Sequence, residues 1–246
     1  REALRTAERL IGAALGLDAA TSDRGPARVL DLGCGAGSSA IWLAQRFTAT
    51  VTGITLSALQ ARASARRALE CGLQERCRFH TGDFLAAATL APEGLPFHGA
   101  YAIEAFSHAA SPRRFFRAAA EGLRASGRLA LCDDFLAPPP GPGPAGPSRG
   151  RARCLDRLRR GWQLGSLITL RQCVRHAEAA GFVLRSQRDL TPFLRLERPW
   201  RWLPQLALGL VTSRTPWGAS RLGGAALQQA LGASWVRYLL LVFEKR

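Results

Sequence analysis

An acidic residue followed by three alternating glycines is the stretch of this chain whose residue types most directly suggest chemistry. The segment VLDLGCGAGS places Gly33, Gly35 and Gly37 after Asp31. Glycine adopts positive φ angles without strain and lets a ligand approach the backbone closely. A helix that begins at Ser38 would add unpaired N–H groups at its amino end. The pattern therefore predicts a strand, a tight turn and a helix that together bind a polar ligand.

Turns of this kind bind more than one class of ligand. The spacing of the glycines and the position of the acid distinguish dinucleotide sites from the others. Dinucleotide sites have the pattern G-x-G-x-x-G, with an acid about 20 residues further on, at the end of the second strand. In this chain the spacing is G-x-G-x-G, Asp31 lies inside the first predicted strand, and the second predicted strand ends in Thr55. These differences disfavour a nicotinamide or flavin cofactor.

On the same motif the chain resembles the class I S-adenosylmethionine-dependent methyltransferases, in which the acid and the glycines hold the methionine part of the cofactor. The segment TGITLSALQ, residues 52–60, is similar to two subgroups of that family. One comprises the C-methyltransferases of the tocopherol and ubiquinone/menaquinone pathways, with sarcosine/dimethylglycine-type N-methyltransferases nearby. The other, more distant, comprises the cyclopropane-fatty-acid and mycolic-acid synthases. Cyclopropane synthases have a glutamate within an F-x-H triplet where this chain has Ser107, which favours simple methyl transfer.

The resemblance implies a set of residues around S-adenosylmethionine. Thr55 and Gln60 are expected at the ribose hydroxyls; the alternative is that they serve only as cap and surface of a helix. Asp83 is expected to accept from the adenine amino group, with a solvent-facing position as the alternative, and Phe84 to supply a backbone N–H and an apolar wall. The full cofactor set implied is Asp31, Gly33, Cys34, Gly35, Gly37, Thr55, Leu56, Gln60, Gly82, Asp83, Phe84, Ile103 and Glu104.

The carboxyl ends of the later predicted strands supply candidates for acid–base chemistry. Methyl transfer is an in-line displacement at a sulfonium carbon, and alignment of the reactants can lower the barrier by about 7–11 kcal/mol. A base is needed only where the acceptor loses a proton. His108 is the first candidate because histidine ordinarily titrates near neutral pH, with a structural role as the alternative. Glu104, Asp133 and Asp134 are the other candidates, and since adjacent strand residues point to opposite faces, only one of the two aspartates should reach the acceptor.

Composition limits the partners that the chain could have. The formal charge of +16 would suit nucleic acid or an anionic surface. Lys245 is the only lysine, however, and the arginines are dispersed, which is typical of a GC-rich coding sequence, so we expect no nucleic-acid partner. The six cysteines form no C-x-x-C pair, so we expect no metal site and a reducing, cytoplasmic location. The chain begins at Arg1 rather than methionine, which leaves open a leader segment before it.

Strand and helix patterns alternate along the chain and predict an α/β fold as a single domain over residues 1–246. We expect a Rossmann-like, mostly parallel sheet with an antiparallel C-terminal edge hairpin, flanked by helices. An amphipathic helix is predicted within residues 1–24, and residues 137–151 form a Pro/Gly-rich loop, either a linker or a moving lid. Residues 194–232 are rich in Trp and Leu and lie between the last two strands. We interpret them as a helical cap; a hydrophobic lid, a homodimer interface and peripheral membrane contact are the alternatives.

The sequence thus predicts methyl transfer from S-adenosylmethionine to a small, lipophilic acceptor. The acceptor atom, C, N or O, is left open. Two alternatives remain: an RNA methyltransferase, suggested by the positive charge, and a family member that binds the cofactor without transferring its methyl group.

Overall fold

In the part of the chain that the structure describes, seven strands form one sheet. The computed structural model describes residues 2–19, 25–91, 95–138, 149–196, 202–204, 207–208 and 215–246. The central strands follow mostly buried apolar runs of the sequence, whereas the two edge strands, β3 and β6, are largely exposed. They are β1 Ala27–Leu32, β2 Ala49–Thr55, β3 Cys77–Thr81, β4 Phe97–Ile103, β5 Leu123–Leu136, β6 Phe182–Asp189 and β7 Val236–Lys245.

The strand order is β3-β2-β1-β4-β5-β7-β6. The first five strands pair in parallel, whereas β7 runs antiparallel to both β5 and β6. The chain runs outward from β1 through β2 to β3 and then crosses back to β4 on the other side of β1. Ligands bind in the crevice at such a switch point, at the carboxyl ends of the strands. The predicted parallel sheet with an antiparallel C-terminal hairpin is confirmed.

Helices cover both faces of the sheet. They are α1 Glu2–Ala14, α2 Ser38–Arg46, α3 Ala58–Glu70, α4 Pro112–Gly122, α5 Arg149–Trp162, α6 Leu170–Ala179 and α7 Pro216–Gly232. Local capping chemistry explains several of their starts: Ser57 accepts from the Gln60 amide, Ser111 from the Arg114 amide, and Thr169 forms a capping box with Gln172. Among the described residues, no helix is both long and apolar enough to cross a bilayer.

Three apolar clusters stabilise this arrangement. One lies between the sheet and helices α4 and α6 and is rich in phenylalanine. A second lies on the opposite face, beneath α1, α2 and α3. The third lies between α5 and α7 and includes Val236 at the start of β7. The third cluster fixes the C-terminal helices above the carboxyl ends of the strands, where a ligand would bind.

Two predicted segments differ from the structure. Helix α5 begins at Arg149, within the predicted loop 137–151, whose residues 139–148 lie outside the described part of the chain. The predicted N-terminal helix ends at Ala14 and is followed by a 3₁₀ turn at Leu17–Ala19. Most of residues 197–214 also lie outside the description, so that the described cap consists chiefly of α7.

Candidate functional site

The glycine turn after β1 has the backbone that its sequence predicts. Gly33, Gly35 and Gly37 have φ angles of 95°, 51° and 71°. A Cβ on Gly33 would lie 2.5 Å from the Cβ of Ala105, so a side chain there would clash as well as strain the backbone. A Cβ on Gly35, in contrast, would meet no atom within 4 Å. The turn is therefore packed against the protein at Gly33, whereas at Gly35 it borders open space that a ligand could occupy.

Neighbouring elements hold the turn in place. The amides of Gly33 and Cys34 both donate to the carbonyl of Ile54 on β2, at 3.0 and 2.9 Å. From α3, the guanidinium of Arg67 donates to the carbonyl of Ala36 at 3.0 Å, and the hydroxyl of Ser64 to that of Gly35 at 3.2 Å. A turn fixed from two sides is preorganised for a ligand at its open edge.

Asp31 is buried beneath the turn. It is 3% exposed, and the hydroxyl of Tyr101, its register partner on β4, donates to its carboxylate at 2.6 Å. Among the described residues no cation lies within the 4.0 Å ion-pair distance of Asp31. Burial raises the pKa of Asp31 from 3.8 to about 7, although the hydrogen bond from Tyr101 opposes the shift. A carboxylate buried without a cation is suited to an ammonium group supplied by a ligand.

The polar residues predicted for the nucleoside lie at the ends of β2 and β3. The hydroxyl of Thr55 donates to the side-chain oxygen of Gln60 at 2.9 Å, so these two residues are brought together. Leu56, beside them, is 76% exposed. Asp83 accepts from the amide of Leu85 at 2.9 Å and thereby begins a 3₁₀ helix at Phe84, while the amide of Gly82 donates to the Thr55 carbonyl.

Glu104 follows β4 in an unusual backbone conformation. Its φ angle is 51°, in the left-handed region that favours glycine, and its amide donates to the carbonyl of Cys132 at 2.9 Å. The hydroxyl of Tyr238 donates to its carboxylate at 3.2 Å. Strained positions of this kind concentrate at functional sites. Ile103, partly buried, precedes it in β4.

Asp133 and Asp134 are adjacent on β5, and only Asp134 is among the residues that line the cavity described below. The carboxylate of Asp133 accepts from the amides of Ser107 and Asp134 at 3.1 and 2.8 Å and is 1% exposed. Asp134 faces a cavity. Burial, reinforced by the negative charges of Asp133 and Glu104, raises the pKa of Asp134 well above its ordinary value. The raised pKa favours the protonated form of Asp134, which can donate a hydrogen bond.

The cavity lies above the carboxyl ends of β4 and β5 and has a volume of about 170 Å³. Its walls are mostly apolar, and its polar groups include two acids, a phenol and a guanidinium. The lining residues are Glu104, Asp134, Trp162, Leu194, Arg195, Leu196, Leu227, Gln228, Leu231 and Tyr238. His108 is exposed in a 3₁₀ turn and is not among them.

A close crossing of α5 and α7 positions one wall of this cavity. A Cβ on Gly161 would lie 2.5 Å from the carbonyl oxygen of Ala219 and 2.5 Å from the amide nitrogen of Gly223, so the two helices approach as near as glycine allows. The indole N–H of Trp162 donates to the carbonyl of Ser220 at 3.1 Å. The indole is thus fixed to α7 and forms a rigid apolar wall.

Sequence reasoning missed Trp162, Arg195 and Tyr238 as lining residues. Tyr238 could have been suspected because a polar ring interrupts the apolar strand β7. Trp162 ends an arginine-rich segment in which Cys154, Leu155 and Leu158 are buried at helical spacing. The many arginines of the segment obscure this helical pattern in the sequence. No local signal marks Arg195.

Residues 29–127 match the sequence model of a family described as methyltransferase domain. A 27-O-demethylrifamycin SV methyltransferase from Amycolatopsis mediterranei is 31% identical over 169 residues, which are 68% of this chain and 58% of that protein. The chain therefore spans little more than half of that relative.

Solved structures share the fold over nearly the whole chain. A putative sarcosine dimethylglycine methyltransferase from Galdieria sulphuraria superposes with a TM-score of 0.72 over 98% of this chain and 86% of that chain, at 20% identity. A geranyl diphosphate C-methyltransferase from Streptomyces coelicolor, in complex with Mg²⁺, geranyl diphosphate and S-adenosyl-L-homocysteine, superposes with a TM-score of 0.67 over 96% and 78% of the two chains, at 20% identity. At such identities the likeness establishes the fold.

Proposed function

Because this chain contains a class I S-adenosylmethionine-dependent methyltransferase domain, we propose that it transfers the methyl group of that cofactor to a small, lipophilic acceptor. The observation that carries the proposal is the apolar cavity with two acids, Glu104 and Asp134, at the strand ends beside the glycine turn. S-adenosylmethionine, when bound, supplies an electrophilic methyl group on a sulfonium.

The residues around the turn fit this cofactor. Gly35 leaves open space where a side chain would obstruct the ligand, and Asp31 offers a buried carboxylate to the methionine ammonium group. We assign Thr55 and Gln60 to the ribose hydroxyls because their side chains lie together at the end of β2. Asp83 and Phe84, beginning the 3₁₀ helix after β3, are assigned to the adenine. The further predicted contacts are Gly33, Cys34, Gly37, Leu56, Gly82, Ile103 and Glu104.

The acceptor side has two acids in different environments. Glu104 keeps contact with solvent and is oriented by Tyr238, so we assign it to accept the proton of an acceptor hydroxyl. Asp134 is buried, and its protonated form can donate a hydrogen bond to a second oxygen of the acceptor. Asp133 holds the turn at Ser107 through hydrogen bonds and acts as a positioning residue. His108 stays a predicted base that the cavity lining does not support.

We also propose where the protein is located and what the cap contacts. All six cysteines are free thiols, which supports a reducing, cytoplasmic location. Exposed apolar side chains near the cap, among them Leu203, Leu208 and Trp217, support a contact surface for a second copy of the chain or for a membrane. The guanidinium of Arg221 lies 4.2 Å from the ring centroid of Trp217, a pairing suited to an interface. Sedimentation with and without anionic vesicles distinguishes the two contacts.

The decisive experiment combines binding with transfer. We expect calorimetry to show that the protein binds S-adenosylhomocysteine, and methyl-labelled cofactor to label one or more members of a panel of lipophilic phenols and hydroxy acids. The absence of any binding to S-adenosylhomocysteine would overturn the proposed cofactor. Labelling confined to RNA or to hydrophilic amines would overturn the proposed acceptor, and binding without transfer to any acceptor would indicate a silent family member.

A further inference from the structure

The charged groups of the acceptor cavity are held apart from one another. Arg195 lines the cavity and is exposed. Among the described residues, no carboxylate lies within the 4.0 Å ion-pair distance of its guanidinium, and neither Glu104 nor Asp134 lies within that distance of any cation. The cavity lining thus includes an arginine and two acids that form no ion pair with one another.

Apolar side chains form the surface around these groups. Leu194, Leu227 and Leu231 lie in the lining with the indole of Trp162. A cavity of about 150 Å³ is known to hold benzene, so the volume of about 170 Å³ here suits a single compact apolar body. A ligand that satisfies every group would have an apolar body with a protic group at the acids and an anionic group at Arg195.

We propose that the acceptor carries an anionic oxygen group, a carboxylate or phosphate, remote from the methylated atom, and that Arg195 binds it. This inference rests on the proposed function, because it specifies the substrate class of the same cavity. The planar guanidinium matches such oxyanions with two parallel hydrogen bonds. The carboxylate of Glu104 disfavours the same anion beside it, so that the charges also fix which end of the acceptor faces the methyl group.

A matched pair of probes tests the inference without knowledge of the natural substrate. The compound 6-hydroxy-2-naphthoate has a phenol and a carboxylate at opposite ends of an apolar plate, and 6-hydroxy-2-naphthamide has the same shape without the charge. Fluorescence titrations are made with S-adenosylhomocysteine at saturation. The variant is Arg195→Gln, and the control is Arg78→Gln, an exposed arginine on β3 at the opposite edge of the sheet.

We expect the unmodified protein and Arg78→Gln to bind the naphthoate at least about 10-fold more tightly than the naphthamide. Arg195→Gln should weaken naphthoate binding by about 10- to 100-fold and change naphthamide binding by less than about 2-fold. Equal affinity for the two probes, no binding of the naphthoate, or a charge preference that survives Arg195→Gln would each overturn the inference. Failure to bind S-adenosylhomocysteine, measured first in the same samples, would instead refute the proposed function.

Discussion

The cofactor half of the candidate site centres on one continuous turn, residues 31–37, whereas the acceptor half is lined by residues from six separated segments. In the first half, the glycines are required by the positive φ at each and by the close approach of Ala105 to Gly33. In the second half, none of the described lining residues is glycine. Local geometry therefore sets the proposed cofactor site, whereas tertiary placement sets the proposed acceptor cavity.

Among the variants that test the two halves, Glu104→Gln in the acceptor half is expected to have the largest effect. The substitution keeps an oxygen for the hydrogen bond from Tyr238 and removes the base, so the rate of methyl transfer should fall by about 10²- to 10⁴-fold. Affinity for S-adenosylhomocysteine, measured by calorimetry, should change by less than about 10-fold. The control is Glu121→Gln, whose carboxylate pairs with Arg117 on the surface of α4. Transfer at the unmodified rate would show that Glu104 is not the base.

Asp31→Asn tests the cofactor half through pH. The pKa of Asp31 rises from 3.8 to about 7 on folding, so between these values the folded state binds more protons than the unfolded state. The free energy of unfolding therefore falls as pH rises through this window, by an amount on the order of 4 kcal/mol. Asp31→Asn should abolish this loss, leaving the ligand-free variant more stable than the unmodified protein at pH 8 and about equal to it at pH 4.

Binding of S-adenosylhomocysteine, unlike stability, should favour the unmodified protein over Asp31→Asn at pH 8. The variant lacks the carboxylate proposed for the ammonium group and should bind S-adenosylhomocysteine about 10-fold more weakly at pH 8. Urea denaturation and calorimetry measure the two effects. Asp156→Asn, which removes an exposed acid of α5, should change neither. A variant that is less stable at pH 8, or that binds the ligand as tightly, would contradict the assignment of Asp31.

Gly33→Ala tests whether the turn tolerates a side chain. Its φ of 95° and the 2.5 Å approach to Ala105 combine backbone strain with overpacking, so the free energy of unfolding should fall by about 2–4 kcal/mol. Gly25→Ala is the matched control because its φ is 82° but a Cβ there meets no atom within 4 Å. It should cost about 1 kcal/mol. Equal losses in urea denaturation would show that contact with Ala105 does not contribute.

Tyr238→Phe should have the smallest effect of the four. It removes the hydroxyl that donates to Glu104 at 3.2 Å and keeps the buried ring. Since a hydrogen bond to a charged group contributes about 1.5 kcal/mol, kcat should fall by about 10-fold. Tyr101→Phe is the comparison, because it removes a hydroxyl from the cofactor half instead. If Tyr238→Phe weakened S-adenosylhomocysteine binding and left kcat unchanged, the division between the two halves would be wrong.

Much of the cofactor half could be predicted from the sequence because its determinants are local. The glycine turn depends on residues within a few positions of one another, and its predicted backbone conformation is confirmed. The hydrogen bond between Asp31 and Tyr101 could not be predicted, since it depends on the register between β1 and β4, which are joined by a long connection.

The acceptor half could be predicted only in outline. Helix α5 was not predicted from the sequence, because many arginines separate its apolar residues. The Pro/Gly-rich segment that precedes it also suggested a loop. Trp162 enters the cavity wall because Gly161 lets α5 approach α7, a contact between residues about 60 positions apart. His108 illustrates the converse, since its residue type suggests a base while its 3₁₀ turn leaves it exposed outside the lining.

The position of β7 in the sheet determines the order in which the strands can pair while the chain is being synthesised. Strands β1 to β5 can assemble with their helices as they emerge, but β6 emerges before β7, the strand that joins it to the sheet. Until then, β5 and β6 both expose unpaired edges, which are prone to aggregation and are natural targets for chaperones. Tyr238 lies on the same strand, so the proposed acceptor cavity is completed only when β7 pairs with β5.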